Sequence, residues 1–373
     1  MLIVCLFLES MMKRCVVSNR SQNRSCVMYA AMRMGHKAGL LLLGVFVAIW
    51  VPQPLLAQSS MRVSVSIPPL YSLVAGVMEG VGKPELLMAG LQSPHTQALT
   101  PSILRKINQS DLVVWVGPSY EFSLKKTLGG GMGDGLDNNL KDGAVLTAIQ
   151  MDNLVHYGQR QTESADDHAH EHNHERAEGS DDDQQHFDLG YIDPHIWLST
   201  DNAKEIVLQV GQRLSEADPA NAGQYERNVT KILNRIDRLF ADLSMQLANL
   251  EKRHYLVFHD AFQYFEKAFG LENMGVVALN AHRSPGARHL HELLERIQDL
   301  TNGTKNGLSN SSGSLCVFRE PQFSSNALQV LVKEPGVKQG ILDPLGVDFP
   351  LDKDHWFTLM ENLAHGFAEC LKS

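Results

Sequence analysis

This chain of 373 residues has only five cysteines, no excess of basic residues, and no apolar run of the roughly 20 residues that a membrane-spanning helix needs. Each shortage excludes something. Cys5, Cys15 and Cys26 all lie near the start, so too few cysteines remain for a disulfide-rich scaffold. With 43% hydrophobic and 20% charged residues the chain is neither wholly disordered nor collagen-like, and its length allows two domains with cores of their own. Lys and Arg number 33 against 42 Asp and Glu, but residues 1–57 carry six of the basic residues and one acid. The remainder has 27 basic against 41 acidic residues, a charge of −14, which disfavours a nucleic-acid partner. Enzymatic signatures are missing too: the HExxH string at 170–174 lies in an acidic run without a helical apolar pattern, so there is no HExxH helix; there is no nucleophile elbow, and the glycines of GGGMGDG (129–135) lack the Lys-Ser/Thr of a phosphate-binding loop. What the chain does have is histidine, 16 in all and unevenly placed, with six between Val155 and Phe187.

Ala38 to Val51 (AGLLLLGVFVAIWV) is apolar, preceded by Arg33, His36 and Lys37 and followed by Pro52, Pro54 and the small-residue site Leu55-Leu56-Ala57. This is the pattern of a secretory signal peptide, cleaved near Ala57. A membrane anchor is the alternative, but about 14 residues bounded by prolines fall short of a span. Signal peptides normally begin near the start of a chain, so translation is expected to begin at Met28, Met32 or Met34. No cysteine follows where a lipid could be attached, and the mature protein is expected to be soluble. The two cysteines left, Cys316 and Cys370, most simply form one disulfide in an exported chain. Closing that loop of about 55 residues would contribute about 4 kcal/mol on the chain-entropy account. A cysteine-based metal site is the alternative, with no His or Cys immediately beside either residue to support it.

After the signal, strands alternate with helices: a strand at 61–67, a helix at 68–79, a strand at 84–89, a helix at 101–108, and the buried-strand run DLVVWVG at 111–117. Such alternation implies an α/β domain. Residues 159–188 are acidic and nearly without apolar side chains, so they predict a loop rather than core. Helices follow at 202–214 and from Pro219 to about Lys252, the second with apolar positions at Ile232, Ile236, Leu239, Leu243, Leu247 and Leu250. Unbroken, that helix would be about 50 Å long. The alternation then restarts, with strands at 255–258, 275–279, 315–318 and up to Leu342, and helices to 269, at 286–300, 324–332 and 353–371. The predicted architecture is two similar α/β lobes, 58–218 and 253–373, joined by one long helix, 219–252. Ligands of such lobes sit in the crevice at the carboxyl ends of the strands.

Three histidines lie just after a strand or at a helix entrance, where that crevice would open: His95 in Ser93-Pro94-His95, His195 in Asp193-Pro194-His195-Ile196-Trp197, and His259 in Val257-Phe258-His259-Asp260. Asp343, in Leu342-Asp343-Pro344-Leu345-Gly346, occupies a fourth such place. Imidazoles suit Zn²⁺, Cu²⁺ or Ni²⁺ over Mn²⁺, and three of them with one oxygen make the tetrahedron Zn²⁺ prefers. Asp193 and Asp260 are near enough in sequence to orient the rings through their second nitrogens.

SPHTQALTPS (93–102), DLVVWVG (111–117), the His/acid-rich insertion, DPHIWLS (193–199), HDAFQYF (259–265), CVFREPQF (316–323) and LDPLG (342–346) together resemble the zinc-binding components of bacterial ABC-type metal importers, the ZnuA type within the cluster A-I solute-binding proteins. The resemblance covers nearly the whole mature chain. It implies a metal site in the cleft, with His95 and His195 from the first lobe, His259 from the second, and Asp343 or water as the fourth ligand. It also implies a disulfide in the second lobe, matching Cys316 with Cys370, and a rigid linking helix that limits lobe motion. His259 marks zinc, because manganese-binding relatives have Glu there. The function implied is capture of Zn²⁺ in the periplasm and delivery, as a monomer, to a membrane permease driven by a separate ATPase. A three-histidine zinc site with an open position is also the layout of a zinc hydrolase or hydratase, which is the rival expectation. An adhesion module is a third, disfavoured by the lack of any surface-attachment segment.

In DDHAHEHNH (166–174), His168, His170, His172 and His174 alternate with other residues, and His186 lies beyond an acidic triplet. Such spacing lets pairs or triplets wrap a cation that the carboxylates concentrate, so these five are expected to form an auxiliary, weaker metal site. His282, His289 and His291 are expected on the surface, and His254, His355 and His365 in structural roles.

Overall fold

The computed structural model of the chain describes residues 61–90, 92–129, 144–160, 191–250, 253–278, 285–301, 315–323 and 326–372. The segment expected to direct export, His282 and the histidines at 168–186 lie outside these. Residues Ser60–Ser373 form one compact unit. In chain order the first lobe runs β1 (Val63–Val65), α1 (Pro68–Val77), β2 (Glu85–Leu86), α2 (Pro101–Gln109), β3 (Leu112–Trp115), α3 (Lys125–Leu128), β4 (Val145–Thr147) and α4 (Thr200–Ala217). The linking helix α5 (Ala222–Leu247) leads to β5 (Tyr255–Val257), α6 (Gln263–Phe269), α7 (Ala287–Thr301), β6 (Leu315–Arg319), α8 (Asn326–Leu331), β7 (Val337–Ile341) and α9 (His355–Lys372). The strands make two parallel sheets, ordered β2-β1-β3-β4 and β5-β6-β7.

Local chemistry sets the helix starts. Pro68 and Pro69 open α1, where a missing N–H costs nothing. The Thr100 hydroxyl accepts from the Ile103 N–H ahead of Pro101 in α2, and the Ser199 hydroxyl accepts from Asn202 in α4. In β3 the period of two splits the side chains: Val113 and Trp115 pack with Ile103 and Ile107 of α2, while Leu112 and Val114 face α1. β5 and β6 divide the same way, and their inward set, Tyr255, Val257, Cys316 and Phe318, belongs to the same core cluster as the inward face of β1 and β3. One apolar core therefore runs through both lobes. Ile232, Ile236, Leu239, Leu243 and Leu247 of α5 are all buried in it.

The linking helix is shorter than its apolar pattern suggests. Its 26 residues span about 39 Å, because a 3₁₀ turn at Pro219–Asn221 precedes it and the chain leaves the helix after Leu247. Leu250 is still buried, so it continued the pattern without continuing the helix. Of the strand expected at 275–279, the described residues 275–278 make a single bridge, between Val276 and Val257, while β4 was not foreseen. Cys316 and Cys370 are joined, tying β6 to α9. Among the described residues no helix is long and apolar enough to cross a membrane.

Candidate metal centre

His95, His195 and His259 come together, one ligand atom from each lying within 4.8 Å of the other two. His259 lies two residues past the carboxyl end of β5. His195 precedes a 3₁₀ turn, and His95 sits on a turn in which the N–H groups of Thr96 and Gln97 both donate to the Ser93 carbonyl. Nε2 of His195 and Nε2 of His259 are 3.4 Å apart. That is close to the edge of a tetrahedron with bonds of about 2.0–2.1 Å, roughly 3.3 Å.

Two of the rings are held through their other nitrogen. His195 Nδ1 is 2.7 Å from Asp193 Oδ1, which also accepts the His195 backbone N–H at 3.0 Å. His259 Nδ1 is 2.5 Å from Glu320 Oε1. A carboxylate only accepts, so Nδ1 carries the proton and Nε2 turns its lone pair to the common point. Asp193 was foreseen in this role. Asp260 was not borne out, since it pairs with Arg160 at 3.4 Å, and Glu320 takes its place. An aspartate two residues before a histidine can fold back on it in a tight turn. Glu320 is 61 residues from His259 and reaches it only because β6 pairs with β5. The available signal was an acid placed just past the carboxyl end of a strand, within CVFREPQF.

Tyr120 walls the site, its ring edge-on to His95 at 4.4 Å and to His195 at 5.4 Å between centroids. The neighbouring Glu121 shapes its turn, accepting the N–H groups of Val116 and Gly117. Gly117 has φ +149, and a Cβ there would meet Ile149, so glycine is required. Burial pushes the Glu121 carboxyl up to about 7.

Asp343 stands outside the histidine group. Its Oδ1 accepts from Gln322 Nε2 at 2.6 Å and from the Leu345 N–H at 2.9 Å, and its Oδ2 accepts from the Val347 N–H at 2.7 Å. His289 is not a free surface residue, since its Nε2 lies 2.8 Å from the Val276 carbonyl. His291 and His365 are exposed beside Glu295 and Glu369, and His355 is buried with Nε2 2.7 Å from the Leu345 carbonyl.

Burial holds His195 well below the ordinary imidazole value, and the proximity of His259 adds to this, so His195 is neutral. Burial works in the same sense on His259, but the charge and hydrogen bond of Glu320 outweigh it and the net shift is upward. Burial raises Asp193 to about 7, and raises Glu320 as well. A dication would supply the positive charge these buried carboxylates lack. A proton on His259 Nε2 excludes the metal, so affinity is full above the raised value and lost as pH falls through it. In chelator-competition titrations, zinc affinity is expected to begin falling above pH 6.5, the ordinary imidazole value, by up to about tenfold per pH unit. A flat profile down to about pH 5.5 would contradict the ligand role of His259.

Two parallel α/β lobes meeting at carboxylate-backed imidazoles define a two-lobed protein that binds a divalent metal ion in its cleft. The family model of ZnuA, "Zinc-uptake complex component A periplasmic", matches residues 63–370, and the chain belongs to this family. It is 32% identical over 334 residues to the high-affinity zinc uptake system protein ZnuA of Brucella abortus (strain 2308), covering 85% of this chain and 93% of that protein. The ZnuA of Yersinia pestis is 30% identical over 333 residues, with 87% and 98% covered. A crystal structure of ZnuA matches the fold with a TM-score of 0.62 at 23% identity, covering 84% of this chain and 99% of that one. Proteins of this family are metal-binding transport components, not enzymes, which sets aside the hydrolase reading.

Proposed function

We propose that His95, His195 and His259 capture Zn²⁺ in the cleft of the exported protein, which then docks as a monomer on a membrane permease driven by a separate ATPase. The observation that carries this is the meeting of three imidazoles, two of them fixed through Nδ1 by buried carboxylates. Because Asp343 is engaged by two backbone N–H groups and Gln322, water is the better fourth ligand. His95, half-buried on its turn, is the ligand placed to close on the ion. Zinc titration of the whole protein against a competing chelator should show one ion bound far more tightly than any other. Absence of a tight ion would overturn the reading. Export is proposed to proceed with cleavage near Ala57, which amino-terminal sequencing of the mature protein checks.

His168, His170, His172, His174 and His186 are proposed to collect further zinc weakly, because their spacing lets pairs of imidazoles share a cation that the neighbouring carboxylates concentrate. Deleting residues 161–187 is expected to lower the number of ions bound while leaving the tightest one. An unchanged stoichiometry refutes this role.

A further inference from the structure

The carboxylate that holds the first-lobe ligand is itself held by the second lobe. Asp193 Oδ1 is committed to His195, and its Oδ2 accepts from Gln263 Nε2 at 3.3 Å. The Asp193 carbonyl accepts from the Tyr264 hydroxyl at 2.9 Å, and its N–H donates to the Tyr157 carbonyl at 2.8 Å. The same two α6 side chains grip the segment Tyr157–Gly158 beside Asp193. Gln263 Nε2 also donates to the Gly158 carbonyl at 3.0 Å, and the Tyr264 oxygen accepts the Tyr157 N–H at 3.2 Å. Asp193, Gln263 and Tyr264 are all buried. Arg160 adds ion pairs to Asp260 and Glu266 across the same seam.

Gln263 lies four residues after His259, so the segment that supplies one ligand also positions the carboxylate behind another. We infer that Gln263 and Tyr264 are positioning residues that make the aim of His195 depend on contact between the lobes, an inference resting on the reading that the three histidines hold zinc. With α6 docked, Asp193 has one orientation and His195 Nε2 faces the common point. If α6 separates from Tyr157–Arg160, Asp193 loses two of its partners and the imidazole is free to turn away. Tight binding and lobe contact are then one equilibrium, and a partner that pries at this seam loosens the ion without touching a ligand.

Gln263→Met keeps length and bulk without the donor, and Tyr264→Phe keeps the ring without the hydroxyl. Each is expected to weaken zinc binding roughly 10- to 100-fold, mainly through faster release, and to alter the visible spectrum of the Co²⁺-substituted protein. A purely structural role would lower the melting temperature of the metal-free protein while leaving zinc affinity and the cobalt spectrum unchanged, and that result in both variants overturns the inference. The native protein, titrated alongside, separates the two failures: if it holds no tight zinc, the three-histidine reading falls, and this one with it.

Discussion

His259→Ala is expected to weaken zinc binding by at least about 10²-fold, the upper end of the loss usually caused by removing even a hydrogen-bond partner of a ligand. Two imidazoles would remain, one of them on the half-buried turn of His95, and the 3.4 Å edge between His195 and His259 Nε2 atoms would be gone. The substitution also strands Glu320, which is 1% exposed and whose Oε1 accepts both the ring and the backbone N–H of His259. A buried carboxylate without its cation protonates, so the second lobe loses negative charge together with a ligand. Calorimetry with a competing chelator measures the loss, and His291→Ala, at an exposed position paired with Glu295, serves as the control that should bind as before. Affinity within tenfold of the native protein would remove His259 from the site.

Trp356→Ala is expected to cost about 3–5 kcal/mol of stability, the range for deleting a large buried aromatic. Trp356 belongs to α9, yet its indole N–H donates to the Trp197 carbonyl at 2.8 Å and its backbone N–H donates to the Ser72 hydroxyl of α1 at 2.9 Å. Trp197 in turn donates to the Pro344 carbonyl at 2.8 Å. Both indoles are fully buried, so the substitution opens a cavity and leaves a carbonyl unpaired where the lobes share their core. Against a total stability of about 5–15 kcal/mol this is a large fraction. Chemical denaturation gives the value directly. A loss below about 1 kcal/mol would show that this contact does not join the lobes.

Much of the strand and helix order was legible because the elements carry their own patterns: the continuous apolar run 111–117 reads as a buried strand, and α5 shows its buried stripe without reference to anything else. The length of α5 was not legible, since Leu250 satisfies the stripe from outside the helix. β4 is a three-residue strand, too short for alternation to register, and 275–279 has strand composition, but its described residues 275–278 make only one bridge. Asp193 and Asp260 were both candidates because each is local to a histidine, and the sequence did not separate them: Asp193 reaches His195, whereas Asp260 is taken by Arg160.

The α/β class, the three histidines that come together and the pairing open to Cys316 and Cys370 were legible from the sequence alone. These depend on residue type and on spacing along the chain, which a sequence displays. Only the tertiary structure decided that one core joins the lobes, that Glu320 rather than Asp260 holds His259, that Asp343 turns to backbone N–H groups, and that Gln263 and Tyr264 of one lobe hold the Asp193 of the other. Each of these is a contact between residues far apart in the chain, and its strength comes from burial and hydrogen-bond geometry that exist only once the sheets have paired and the core has closed.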